Sequence, residues 1–213
     1  MKYNSSRHNN NVIKAAWIGG ICVLAAAVIG GIFVLIAAKT EPDKPLTPLT
    51  DERKDRKDYK TISIANRIWM AENLTFKPDT GEFKCHDYNE ANCKKYGRLY
   101  DWNTATNICP EYQDWHLPTN NEWDALAKAM GGKNVAGKKL RLGNRGFSPR
   151  LFKKFDSSEY KFACWWSATI DENEGGNSFA YAWCIGEKTE HISKNTYGKN
   201  RYFPVRCIKN PEN

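Results

Sequence analysis

No two cysteines in this chain are spaced as CxxC, so the common zinc-ribbon and dithiol-redox signatures are missing. No block of Lys and Arg alternates with aromatics, which argues against nucleic acid as a partner. No unit of twenty to fifty residues recurs, and that excludes a solenoid. Charge is also nearly missing from the start of the chain. Lys2, Arg7 and Lys14 are the only charged residues before position 39, although the 213 residues carry a formal +8. The remaining positive charge is spread over a long segment of mixed sign, a weak basic bias.

What fills the uncharged stretch is apolar. Residues 15–38 form a run about 36 Å long as a helix, enough to cross a hydrocarbon core of about 30 Å. The cations ahead of it predict an N-terminus (residues 1–14) in the cytoplasm and a C-terminal portion in the periplasm or outside the cell. A cleaved signal peptide is the rival reading. Ala25-Ala26-Ala27 offers a cleavage site, but the apolar run continues well past it. Cys22 as a lipidation site is disfavoured by the bulky Ile21 before it. A single-pass signal anchor at 15–38 is the expectation.

Six cysteines follow the anchor: Cys85, Cys93, Cys109, Cys164, Cys184 and Cys207. An even number in an exported chain predicts three disulfides, with fifteen connectivities open. Residues 39–60 read as a linker. Pro42, Pro45 and Pro48 favour an extended spacer, and a dense mixed-charge run follows. A folded domain is expected over 61–209, with a short tail at 210–213. It opens on a hairpin, Thr61–Ile64 with Arg67–Met70. A helix is expected from after Arg98 to Cys109, stopped by Pro110. A second begins at Thr119, whose hydroxyl and Glu122 form a capping box, and ends at Gly131-Gly132. Long loops are expected over 133–160. Three strands are expected over 162–169, 179–185 and 203–209.

Five separated motifs carry a resemblance. WMAENL (69–74), YGRLYDW (96–102), WHLP with Glu122-Trp123 (115–118, 122–123), WWS (165–167) and VRC (205–207) occur in order. Together they resemble the Fibrobacter succinogenes major paralogous domain, made of exported or surface-attached bacterial proteins. More distantly, the two-helix pattern resembles C-type lectin-like folds, including the formylglycine-generating-enzyme type. The resemblance implies an α+β fold with two helices, a small twisted antiparallel sheet and long loops. It also implies pairings: Cys109 with Cys207, Cys164 with Cys184 across adjacent strands, and Cys85 with Cys93 in a local loop.

Each candidate for chemistry has a plainer competitor. Cys109 and His116 are the parts of a thiol–imidazole dyad, yet an even cysteine count gives Cys109 a simpler role. Cys85, His86, Cys93 and His116 are zinc-ligand types without a zinc spacing. The loop Asp171-Glu172-Asn173-Glu174 keeps calcium as a candidate, but the Glu-Pro-Asn and Trp-Asn-Asp elements of sugar-binding lectins are missing. The thiol site of formylglycine-generating enzymes does not map here. Aromatics remain. Adjacent strand residues point to opposite faces, so one of Trp165 and Trp166 can be core while the other faces a groove or solvent, although a small loop-rich domain also needs large side chains to fill its core, which is the plainer reading. Trp166, Tyr181 and Trp183 are the candidate ligand contacts, because an aromatic face suits a sugar ring. The expectation is a non-enzymatic binding or adhesion module, displayed at the envelope, for a polysaccharide or an envelope protein, with no catalytic residue and no obligatory cofactor. The alternatives are an enzyme of the sulfatase-modifying type and a structural envelope protein without a ligand.

Overall fold

The computed structural model describes residues 17–18, 21–22, 48–54, 56–111, 114–143, 146–149, 151–153, 161–173 and 176–211. It divides into two units, Met1–Lys44 and Pro45–Asn213. In the first, Trp17–Ile18 (β1) and Ile21–Cys22 (β2) pair antiparallel. The rest of the expected anchor at 15–38 lies outside the described residues, as do the N-terminal 1–14 and the start of the linker. Among the described residues no helix is long and apolar enough to cross a membrane.

The second unit begins earlier than residue 61. Leu49–Asp51 (β3) and Lys57–Tyr59 (β4) form a hairpin with Leu49 opposite Tyr59, and both side chains are buried. This corrects the linker reading for the end of 39–60. The mixed-charge run hides two apolar anchors, and part of its charge is used locally. Arg53 grips the Asp51 carboxylate at 2.8 and 2.7 Å, donates to the Ile108 carbonyl at 2.8 Å, and lies over the Phe76 ring.

Thr61–Ser63 (β5) and Ile68–Met70 (β6) form the expected hairpin. Its turn takes positive φ at Ala65 (55°) and Asn66 (53°), the backbone twist of a type I′ connection. Phe83–Lys84 (β7) pairs with Leu99–Tyr100 (β8). That pairing shortens the first expected helix. It starts only at Trp102, where the Asp101 carboxylate accepts from the Thr104 N–H, and ends at Thr106, before Cys109.

Among the described residues there are four α-helices where the domain was expected to have two: Glu90–Tyr96 (α1), Trp102–Thr106 (α2), Asn120–Ala129 (α3) and Lys133–Arg141 (α4). Helix α3 has the expected capping box and buries Trp123, Leu126 and Ala127. Helix α4 was hidden because its buried face is only Ala136, Gly137 and Leu140.

Phe152–Lys153 (β9), Lys161–Ile170 (β10), Phe179–Gly186 (β11) and Ile192–Gly198 (β12) make an antiparallel sheet of order β12-β11-β10-β9. Strand β12 was not expected. It is an edge strand with one buried residue, Ile192, so it carries little apolar pattern. Ile208–Lys209 (β13) is the only regular part of the expected last strand, and it pairs with β6.

The β10–β11 register puts Cys164 opposite Cys184 and Trp165 opposite Trp183. Side chains alternate as a strand requires, and both faces are covered. Ala163, Trp165, Trp183 and Ile185 pack with Trp69, Trp123, Leu126 and Leu140. Cys164, Trp166 and Ala182 pack with Met70, Leu74, Tyr100 and Val205. The described fold is α+β with small antiparallel sheets. Disulfides join Cys85–Cys93, Cys109–Cys207 and Cys164–Cys184, the pairings that the resemblance implied.

Candidate functional site

Four of the five motifs meet in one buried polar knot. The Asn73 amide oxygen accepts from Trp165 Nε1 at 2.9 Å and Arg206 Nε at 3.0 Å. Its Nδ2 donates to the Tyr96 carbonyl at 3.0 Å. Arg206 also donates to the carbonyls of Ala71 (2.8 Å) and Ser148 (2.7 Å) and lies over the Phe147 ring. Burial pulls the guanidinium down to about 9, and no carboxylate lies within ion-pair distance among the described residues. Gly97 is required beside the knot: a Cβ there would sit 2.5 Å from Asn73 Cβ, at φ +92°. These motif residues hold the fold together. They offer no open chemistry.

The aromatic candidates fare unevenly. Trp166 is 0% exposed and donates Nε1–H to the Tyr100 carbonyl at 2.8 Å. Trp183 is 0% exposed and donates to Asn120 Oδ1 at 3.0 Å. Neither ring offers a face to solvent, which agrees with the core reading of these tryptophans and not with the ligand-platform one. The premise that one face of the strand is open fails, because helices cover one side and the 68–76 and 203–207 segments the other. Of the three only Tyr181 is not fully buried; it is half-buried, with the Lys194 ammonium 4.6 Å from its ring centre.

Cys109 is bonded to Cys207 and holds no free thiol. His116 turns to Glu122 instead, with Nε2 at 3.0 Å from Oε1. That hydrogen bond raises the imidazole pKa. Burial would raise Glu122, but hydrogen bonds from His116 and from the Thr119 N–H and hydroxyl outweigh it and bring the carboxyl to about 2. The pair and the capping box are one unit, joining the Trp115–Pro118 crossing to α3. Cys85, Glu90 and Cys93 cluster within 4.8 Å, yet the two sulfurs are bonded to each other and are not thiolate ligands. In the loop considered for calcium, Asp171 accepts from the Thr196 hydroxyl at 2.7 Å and the Asn173 N–H at 3.1 Å, so its oxygens already brace the loop onto β12.

An open cleft of about 540 Å³ lies where α2, the turn before β11 and the end of β12 converge. Its lining includes Asp101, Asn103, Asn177, Ser178, Lys199 and Asn200, with the half-buried Phe179 among them. Asp101 gives Oδ1 to the cap of α2 at 3.0 Å. The side-chain amides of Asn103, Asn177 and Asn200 make no hydrogen bond among the described residues. Lys199 places its ammonium 4.1 Å from the centre of the Trp102 ring, at the edge of the cleft. These residues come from three distant segments, none periodic. The only signal for them in the sequence is a density of Asn, Ser and Gly in turns.

The family described as the Fibrobacter succinogenes major domain matches residues 62–209. No curated protein matches the chain. No solved structure matches it either.

Proposed function

The chain belongs to the Fibrobacter succinogenes major domain family, and from that premise we propose a membrane-anchored, envelope-displayed recognition module that binds polysaccharide in the cleft at Asn103, Asn177 and Asn200. The observation that carries this is the set of unengaged amides beside Asp101, Ser178 and Lys199. A planar amide both donates and accepts, which matches the adjacent hydroxyls of a sugar ring, and the apolar ring of Phe179 complements its C–H faces. The aromatic contact therefore moves from Trp166 and Trp183 to Phe179.

We place the anchor at 15–38, with the N-terminus in the cytoplasm, on the strength of its apolar length and flanking cations. Three disulfides suit the oxidising side of the membrane. The lectin-like reading of the fold draws support from Cys109–Cys207, which ties the end of the α2 segment to the C-terminal strand region. A non-enzymatic role is favoured because each thiol of the six is committed and the imidazole of His116 is used by the scaffold.

The test is a glycan array probed with the detergent-solubilised full chain, with and without calcium. Retention on a glycan class, lost in Asn103→Ala/Asn200→Ala and kept in Tyr181→Ala, is the expected result. Binding that survives the double substitution, or retention on no glycan, would overturn the assignment.

A further inference from the structure

We propose that Cys85–Cys93 is a thiol-exchange site, opened at Cys85 by a dithiol while the other two disulfides stay closed. Access is the first argument. Exchange requires a thiolate to reach a sulfur along the S–S axis. Cys109 and Cys207 are 4% and 0% exposed, Cys164 and Cys184 are 3% and 8%, and Cys93 is 0%. Of the six, Cys85 alone is half-buried.

Charge is the second. Arg98 Nη1 points an N–H toward Cys85 Sγ at 3.6 Å. Its side chain is only 5% exposed, and its Nε is fixed by the Thr75 carbonyl at 3.0 Å. A permanent cation there attracts an incoming thiolate and stabilises the Cys85 thiolate that exchange releases. Glu90 opposes it. That carboxylate pairs with Arg98 and lies 3.3 Å from Cys85 Sγ, so it repels the attacking anion. His86 is held near pKa 4 by burial and adds no charge at neutral pH.

The third argument is what opening would leave intact. The bond spans eight positions, over the turn His86–Tyr88 and the first turn of α1. That segment keeps its Asn89 cap and the Asn92 Nδ2–H bond to the His86 carbonyl at 3.0 Å. The Asn73–Tyr96 bond still holds the far end of α1.

The exchange balances. A thiolate of the dithiol attacks Cys85 Sγ, a mixed disulfide forms, and the Cys85–Cys93 bond breaks. Cys93 leaves with the electron pair and takes up the proton given by the second thiol, 3.6 Å from the Lys84 carbonyl that its S–H then faces. The second thiolate attacks the reagent's own sulfur in the mixed disulfide, and Cys85 leaves as a thiolate beside Arg98. The dithiol loses two electrons and the protein gains two.

The test treats the oxidised full chain with dithiothreitol under native conditions, traps thiols with N-ethylmaleimide, and maps labelled peptides over time. Labelling of Cys85 and Cys93 at least about tenfold faster than of the other four is expected. Glu90→Gln, at a side chain 55% exposed, should raise that rate between about two- and tenfold by removing the repelling charge. Labelling of Cys109, Cys207, Cys164 or Cys184 at a comparable rate, or of neither Cys85 nor Cys93 before the chain unfolds, would overturn the site; Cys22, outside the three disulfides, is set aside as labelled from the start. A Glu90→Gln rate equal to or below the parent's would overturn the role of the ion pair.

Discussion

Replacing Asn73 with Ala removes one 5%-exposed amide and strands three groups at once. Trp165 Nε1–H and Arg206 Nε–H lose their acceptor, and the Tyr96 carbonyl loses its donor. A buried polar group left without a partner costs about 1–3 kcal/mol, more when charged. Arg206 retains the Ala71 and Ser148 carbonyls, so its share stays moderate. The total comes to about 4 kcal/mol, which lowers Tm by about 8–16 °C for a domain of this size. Asn73→Asp is the informative partner. It keeps both acceptor contacts and gives the buried guanidinium a carboxylate, while losing the donor to Tyr96 and setting a second acceptor oxygen against that carbonyl. It should cost about 2 kcal/mol or less. Urea unfolding of the oxidised chain, followed by tryptophan fluorescence, measures both. An Asn73→Ala loss below about 1 kcal/mol, or an Asp variant less stable than the Ala variant, would refute the claim that this amide ties the motifs together.

Three further outcomes are expected. Cys109→Ser/Cys207→Ser opens a loop with a separation of 98 and should cost up to about 4.7 kcal/mol in the chain-entropy model, against about 2.6 kcal/mol for Cys85→Ser/Cys93→Ser; thermal midpoints in the order parent, short-loop variant, long-loop variant check it. Glu122→Gln should show a pH-dependent loss. The depressed Glu122 pKa contributes stability above about 4.5 that fades as pH falls toward about 2, and the raised His116 pKa contributes below 6.5 and fades as pH rises through its folded value. The deficit is therefore widest between about pH 4.5 and 6.5, at about 2 kcal/mol, and a deficit flat across pH 3–9 in chemical denaturation would contradict the pairing. Gly137→Ala puts a Cβ 2.1 Å from the His191 carbonyl oxygen and should cost about 3 kcal/mol by forcing α4 off the sheet edge, measured as a drop in the urea midpoint.

Local chemistry made the capping box at Thr119 and Glu122 and the 61–70 hairpin legible, because each is decided by neighbours in sequence. The long β10 and β11 strands were legible from their aromatic and apolar density. Helix α4 and strand β12 were not, since one packs through a glycine against backbone and the other is an edge with a single buried residue. The choice between core and groove for Trp165 and Trp166 was open in the sequence for a related reason. Alternation along β10 says that Trp165 and Trp166 differ in direction, but only the path of distant segments decides that both directions are covered. The cleft was invisible on the same ground: Asp101, Asn177 and Asn200 become neighbours only through the fold.

The hairpin β3–β4 also has a mechanical meaning. Leu49 lies across from Tyr59, so the chain enters and leaves the hairpin at the same end. A pull applied through the residues before Leu49 would load its ladder in unzipping geometry, one pair at a time, with Leu49–Tyr59 first. Peeling out about a dozen residues would release about 40 Å of slack before tension reached β5 and the disulfide-stapled body beyond. With the anchor and the polysaccharide binding proposed above, drag on a bound polymer would first be spent on that short ribbon, which would refold once the load eased.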